Sequence, residues 1–280
     1  MPLTNPDLQA IVASANSLDV AFNNLKQALA AAAQMHNDDQ TTIDQLKAQT
    51  QAGIFAPTVY PKLHLQNGWA RGADVAGIHG TWTRTANGDG SATFAVTPDG
   101  PYQNFYLYVN LESGTRNARA SKYVQIQEWE IGDESLPYIL EPETNFEHTL
   151  DGMQYNGGIS PLLAKDKDRE NGAIITNKWR WFNITPGSSG WYTLNDVPFD
   201  RGMFGTGKRV RIVSEFSRID HTMVHEAVTI NGTRYAINRT STAKPVPNWG
   251  NHIQSGFQID TVSSPHPASV KVWDMEARVL

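Results

Sequence analysis

Between residues 8 and 32 apolar side chains return at intervals of three and four: Leu8, Ile11, Ala15, Leu18, Phe22, Leu25, Leu29 and Ala32. That spacing keeps them on one stripe of an α-helix, with heptad position a at 8, 15, 22 and 29 and position d at 11, 18, 25 and 32. Carried on in the same register, the pattern puts the polar pair His36 and Asp39 at a and d, then Ile43 and Leu46. Asn5-Pro6-Asp7 reads as the start, with Asn5 at the N-cap, Pro6 at the first helical position and Asp7 at the positive end of the dipole; Gly53 is the stop. A helix of about forty-five residues far exceeds the ~11 to 12 of an average globular one. The heptad phase survives Asn37-Asp38-Asp39, where a hairpin loop would have no reason to keep it. The stripe therefore predicts self-association through Leu8, Ile11, Leu18, Phe22, Leu25, Leu29, Ile43 and Leu46, and bulky Phe22 at an a position points to a homotrimer.

After Pro57 the period changes from helical to alternating. Strand-like runs occur at 91–96, 104–109, 123–131, 178–184, 209–214, 227–230, 254–262 and 269–279. Turn signals punctuate them: Asn87-Gly88-Asp89-Gly90, Pro98-Asp99-Gly100, Asn156-Gly157-Gly158 and Asn231-Gly232. Many short strands without helices between them predict a mainly β chain of the sandwich or jelly-roll type. The run from Val124 to Glu130 and the run from Val270 to Glu276 share one order: β-branched, polar, β-branched, polar, acid, large apolar, acid. They predict two related modules. The expected organisation is a helical oligomerisation and anchoring segment at 1–56, a first β-sandwich module at 57–143 and a second, jelly-roll module at 144–280, joined near Leu140-Glu141-Pro142.

With 280 residues and 40% hydrophobic content the chain can bury substantial cores. The formal net charge of −5 leaves no basic surplus for phosphate neutralisation, so neither nucleic acid nor an anionic membrane surface is an expected partner. The N-terminus lacks a signal-peptide pattern and no apolar run approaches a membrane span, so synthesis in a cytoplasm is expected. There is no cysteine, which excludes disulfides and thiolate chemistry and leaves oligomerisation as the means of reinforcement.

The stretch Glu128-Trp129-Glu130-Ile131-Gly132-Asp133-Glu134-Ser135-Leu136-Pro137-Tyr138 resembles the ending of carbohydrate-binding jelly-roll modules that recur in bacteriophage fibre proteins. Leu8-Gln9-Ala10-Ile11-Val12-Ala13-Ser14-Ala15-Asn16-Ser17-Leu18 is similar to the leading helix of phage head-fibre and tail-fibre chains. The resemblance implies a virion protein made in the host cytoplasm, bound to other virion proteins through its N-terminal region and displaying β modules toward host-surface glycans. Two features depart from the pattern. The first module is short for such a jelly roll, and the second ends on its closing strand without a Pro-Tyr tail.

Candidate chemistry is sparse. His221 and His225 flank three residues, but in a strand that spacing holds them about 13 Å apart, too far to share a metal. The loop Asp166-Lys167-Asp168-Arg169-Glu170 is rich in oxygen ligands, yet an EF-hand would need glycine at Asn171 and glutamate at Lys178. Glu128 and Glu130 share a strand face and could form an acid/base pair, although the alternation around core-facing Trp129 already accounts for them; Glu112 has no evident partner. Gly202 to Gly207 lacks the ending of a phosphate loop. Aromatic rings with one wet edge suit a sugar platform, and Trp249, between Pro247-Asn248 and Gly250, leads the candidates, followed by Trp191 and Tyr192. The expectation is a structural virion protein without catalytic residues, metal or cofactor. The alternative is a polysaccharide-degrading enzyme or its carbohydrate-binding accessory module.

Overall fold

The computed structural model describes residues 58–72, 80–101, 103–113, 122–131, 144–150, 152–162, 178–247, 250, 252–260 and 267–280, with most positions between 6 and 30. The chain divides into two compact units, Met1–Ala56 and Pro57–Leu280.

In the first unit every described residue between 6 and 30 is helical. The described positions of the predicted stripe lie bare: Leu8 is 48% exposed, Leu18 71% and Phe22 56%. Lys26 sets its ammonium 4.7 Å from the Phe22 ring. His36, Asp39, Ile43 and Leu46 lie outside the described residues.

The second unit is mainly β, two antiparallel sheets forming a sandwich. The strands are β1 (Thr58–Tyr60), β2 (Ala70–Arg71), β3 (Thr81–Ala86), β4 (Ala92–Thr97), β5 (Asn104–Ser113), β6 (Lys122–Ile131), β7 (Thr144–Leu150), β8 (Met153–Leu162), β9 (Lys178–Asn183), β10 (Gly190–Thr193), β11 (Arg209–Ile219), β12 (Thr222–Ile230), β13 (Thr233–Thr242), β14 (Lys244–Pro245), β15 (His252–Asp260) and β16 (Ala268–Val279). The first sheet runs β13-β12-β11-β6-β16-β4-β3, with β1 beside β16; the second runs β10-β9-β8-β7-β15-β5-β2, with β14 beside β8.

Both sheets draw strands from both sides of residue 143, so the expected division into modules at 57–143 and 144–280 does not follow the strands. The physical reason lies in the two similar runs. β6 and β16 are antiparallel neighbours at the centre of one sheet, with Glu128 opposite Asp274 and Trp129 opposite Val272. Adjacent strands that share one buried and one outer face carry the same alternation without being repeats.

Alternation also builds the core. β6 buries Tyr123, Gln125, Gln127 and Trp129 while Lys122, Val124, Glu128 and Glu130 stay partly exposed. On the facing sheet Phe105, Leu107, Phe257, Ile259, Trp179 and Trp181 are buried. Phe94 meets Phe257 edge-to-face at 4.8 Å across the interior. Full burial of a side chain such as Phe94 contributes about 1.5–3 kcal/mol. Two amides tie the sheets together: Gln125 donates to Ser255 Oγ at 2.6 Å and Gln127 to the Gly256 carbonyl at 3.1 Å. Asn231 and Gly232 both take positive φ, 46° and 89°, giving the tight hairpin that joins β12 to β13.

One predicted turn is instead strand. Asn156-Gly157-Gly158 lies inside β8. A Cβ on Gly157 would sit 2.7 Å from the Phe216 ring, so the missing side chain lets the two sheets close on each other there.

Candidate functional site

The outer face of the second sheet carries a cross-strand row with aromatic ends and glycines within. On β5 the buried Phe105, Leu107 and Val109 alternate with half-buried Tyr106 and Tyr108, which therefore face outward. On β9 the buried Trp179 and Trp181 likewise turn Arg180 and Phe182 outward. Register connects these positions. Trp191 on β10 pairs with Phe182 on β9. The β8–β9 register of Ile159 with Trp181 and Ser160 with Arg180, continued one residue, sets Gly158 beside Phe182. Gly158 pairs with Asn145, Asn145 with Gly256, and Gly256 with Tyr108. From β10 to β5 are five strand spacings, about 24 Å.

Gly256 has its own local cause. A Cβ there would come 2.3 Å from the Leu107 carbonyl and 2.9 Å from Tyr108 Cβ, so β15 and β5 could not approach as they do. The row is thus free of side-chain bulk at two inner positions. At one end Tyr106 and Tyr108 stack with centroids 5.3 Å apart. At the other, Trp191 and Phe182 meet at 5.1 Å, and the Arg180 guanidinium lies 5.0 Å from the Trp191 ring.

Polar side chains flank this trough. On one side a parallel row runs Asn156, Glu147, Gln254 and Asn110 across β8, β7, β15 and β5. Gln154 donates to Glu147 Oε1 at 2.6 Å, and burial pushes the Glu147 carboxyl up to about 7. Thr149 Oγ1 lies 3.4 Å from His252 Nε2. On the other side Gln258 is paired with Tyr106, and Asp260 accepts hydrogen bonds from Asn104 at 2.6 Å and Gln258 at 2.7 Å. The arrangement offers stacking rings, amide donors and acceptors, and one carboxyl close to neutrality. These groups suit hydroxyl-rich ligands with apolar faces.

The structure separates the residues singled out from sequence. Trp191 sits in the row. Tyr192 occupies the opposite face, 5.8 Å from Trp181, because adjacent strand residues point apart. Trp249 and the 166–170 loop lie outside the described residues. Glu128 and Glu130 do share an outer face, but on the other sheet and engaged elsewhere. Arg211 contacts Glu128 at 3.2 Å, and Glu130 accepts from the Gly207 amide at 2.7 Å and from Trp273 Nε1 at 3.1 Å. His221 is exposed at the β11–β12 turn, whereas His225 is in the core. It stacks edge-on against Phe216 and Trp181, and burial lowers its pKa to about 3. Glu147, Arg180, Phe182 and Asn156 escaped the sequence reading. The alternation pattern marks neither β7 nor β8 as a strand, and without them no register brings these side chains together.

No protein-family model matches the sequence, and no curated protein does. Among solved structures, the CBM2 module of the evolved Dit protein of Lactobacillus casei BL23 phage J-1 is similar at a TM-score of 0.47 and 8% identity, over 80% of this chain and 96% of the module. A conserved carbohydrate esterase from the Shiga toxin-encoding bacteriophage phi24B gives a TM-score of 0.43 and 9% identity, over 79% of this chain and 99% of its own. Peanut lectin also gives 0.43 and 9%, over 79% and 97%. At these values the likenesses carry no argument about what this chain does.

Proposed function

We propose that the chain is a carbohydrate-binding virion protein, held as a homotrimer by its N-terminal helix, that grips an extended glycan in the trough on the outer face of the second sheet. The observation that carries the glycan reading is the row from Trp191 and Phe182 through Gly158 and Gly256 to Tyr108, with its amide-lined sides. Rings at both ends supply stacking surfaces for the apolar faces of sugars, and the inner glycines leave room for a chain to lie across the strands. The trimer reading is supported by the bare stripe of Leu8, Ile11, Leu18, Phe22, Leu25 and Leu29, six large apolar side chains that this chain leaves uncovered. The virion reading rests on the resemblance of residues 8–18 and 128–138 to phage fibre chains.

The test is a titration of neutral oligosaccharides of increasing length into the full chain, into Trp191→Ala and into Tyr108→Ala. Affinity rises with length until the ligand spans both ends, and each substitution costs about tenfold, the equivalent of about 1.4 kcal/mol. Equal affinity for disaccharide and hexasaccharide, or indifference to both substitutions, removes the reading.

A second reading, a polysaccharide-degrading enzyme, is favoured by Glu147, whose carboxyl near neutrality suits general acid–base work. It ranks second because glycoside hydrolysis uses two carboxyls 5–9.5 Å apart. Asp260 stands six residues along β15 from the cross-strand partner of Glu147, about 20 Å. Turnover of a bound polysaccharide that Glu147→Gln abolishes would reverse this order.

A further inference from the structure

We propose that Asn156 and Glu147 form a hydrogen-bond-accepting pocket beside the trough, which admits uncharged, hydroxyl-bearing glycans and turns away uronate and sulfated chains. The inference rests on the glycan reading and names the class of ligand that the site takes.

Asn156 carries the argument. It lies on the outward side of β8, between the core-facing Tyr155 and Gly157, yet it is only 4% exposed. Its Oδ1 is buried with no hydrogen-bond partner among the described residues. A buried amide oxygen without a donor is uncommon in folded proteins, and at a binding face it marks where a ligand donor belongs. Its cross-strand partner is Glu147. That carboxyl takes the Gln154 amide on Oε1 and is in contact with no cation among the described residues. Gln254 adjoins it from β15.

Among the described residues the charged and titratable groups around Glu147 are few. His252 on β15 reaches Thr149, which belongs to the same face of β7, and exposed Lys244 on β14 pairs with Gln154. Arg180 stands at the Trp191 end of the trough, with its guanidinium against that ring. The pocket therefore presents oxygen acceptors where it is most enclosed. Sugar hydroxyls donate to such oxygens. A ligand carboxylate or sulfate has only acceptors and would meet Asn156 Oδ1 and the Glu147 oxygens oxygen to oxygen. Sites that hold a buried acceptor in wait for a ligand hydroxyl discriminate strongly against a ligand that sets another acceptor there. The ionised carboxyl adds charge repulsion, so exclusion of anionic chains sharpens above neutral pH.

The experiment uses the full-length protein at pH 8 on an array of neutral hexasaccharides (maltohexaose, cellohexaose, galactohexaose) and anionic ones (hexamannuronate, hexagalacturonate, a heparin hexasaccharide). The wild type is compared with Glu147→Gln, Asn156→Leu and Trp191→Ala. Wild type prefers at least one neutral hexasaccharide over every anionic one by about tenfold or more. Glu147→Gln, which keeps the shape and the contact with Gln154, narrows that preference, and Asn156→Leu weakens the neutral ligand by a similar factor. Anionic chains bound as well as neutral ones, or a preference that Glu147→Gln leaves unchanged, overturn the inference. Loss of all binding in Trp191→Ala beside such a result leaves the glycan platform standing. Absence of binding to every saccharide removes the platform and the selectivity with it.

Discussion

Glu128 and Asp274 face each other as cross-strand partners on β6 and β16, and one guanidinium, that of Arg211 on β11, holds both carboxylates at 3.2 and 2.9 Å. Two like charges directly opposite on neighbouring strands destabilise a sheet unless a cation sits between them. Arg211 occupies that position, and its own pKa is raised: burial lowers it, but the hydrogen bonds it donates to Asp274 and Glu128 more than offset the loss. Beside this cluster Trp273, in the bulge after Val272, has the Arg209 guanidinium 3.3 Å from its ring and the Lys271 ammonium 4.1 Å away. Among the described residues, the centre of the first sheet's outer face thus pairs these charges with one another.

Replacing Arg211 by methionine keeps the aliphatic stem and removes the cation. The group is part-exposed, so solvent screening keeps the cost to about 1 kcal/mol. Urea melts at low and at 1 M salt check it. The gap between wild type and variant is largest at low salt and shrinks as the carboxylates are screened. A gap independent of salt assigns the loss to packing instead.

Gly157 and Phe216 make the second prediction. A methyl at 157 falls 2.7 to 3.1 Å from three atoms of the Phe216 ring, and the ring is packed edge-on against His225 and has no free side to move toward. Gly157→Ala costs about 1–3 kcal/mol by overpacking. Phe216→Ala removes the obstructing atoms, so the double variant is more stable than the sum of the two losses predicts. Additive losses in a double-mutant cycle contradict the contact.

These glycines also show where sequence reading stops. The strands with clean alternation, such as β6 and β16, were legible within one or two residues, and so was the mainly β class. β8 was not. Its Asn156-Gly157-Gly158 has the chemistry of a turn, and only the Phe216 ring on the opposite sheet shows that Gly157 is there for close packing. Missing β8 meant missing the row through Gly158 and Gly256, since a cross-strand site exists only in the register of neighbours distant in sequence. The aromatics were visible as a class. Which of them share a face was not, as Trp191 and Tyr192 demonstrate.

Glu147 gives stability a defined pH dependence. Its carboxyl rises from 4.5 in the unfolded chain to about 7 in the folded one, so the folded state holds the proton more tightly. The resulting stabilisation is complete below about pH 4.5 and is lost as pH rises through 7, with a ceiling of about 3 kcal/mol. His225 acts in the opposite sense. Its pKa falls from 6.5 to about 3, so its contribution is present above 6.5 and is lost as pH drops toward 3. Melts from pH 4.5 to 8.5 on wild type and Glu147→Gln isolate the first effect. The variant gains stability relative to wild type as pH rises, and parallel curves would rule out a carboxyl titrating near neutrality in the folded chain.

The helix supplies the last prediction. Leu18 and Phe22 are 71% and 56% exposed and occupy successive d and a positions, so an assembly that covers the stripe must bury both. Two glutamates there place like charges from every copy at one level of the bundle, where desolvation and mutual repulsion outweigh the remaining apolar contacts. The full chain is therefore expected to have three times its own mass by light scattering, and Leu18→Glu with Phe22→Glu one chain's mass. The β unit's thermal transition at fixed concentration should change far less than the mass does, since the two units are separate compact bodies. A wild-type chain that is already monomeric ends the trimer reading. An assembly of other than three copies keeps self-association and discards the strand number that Phe22 suggested.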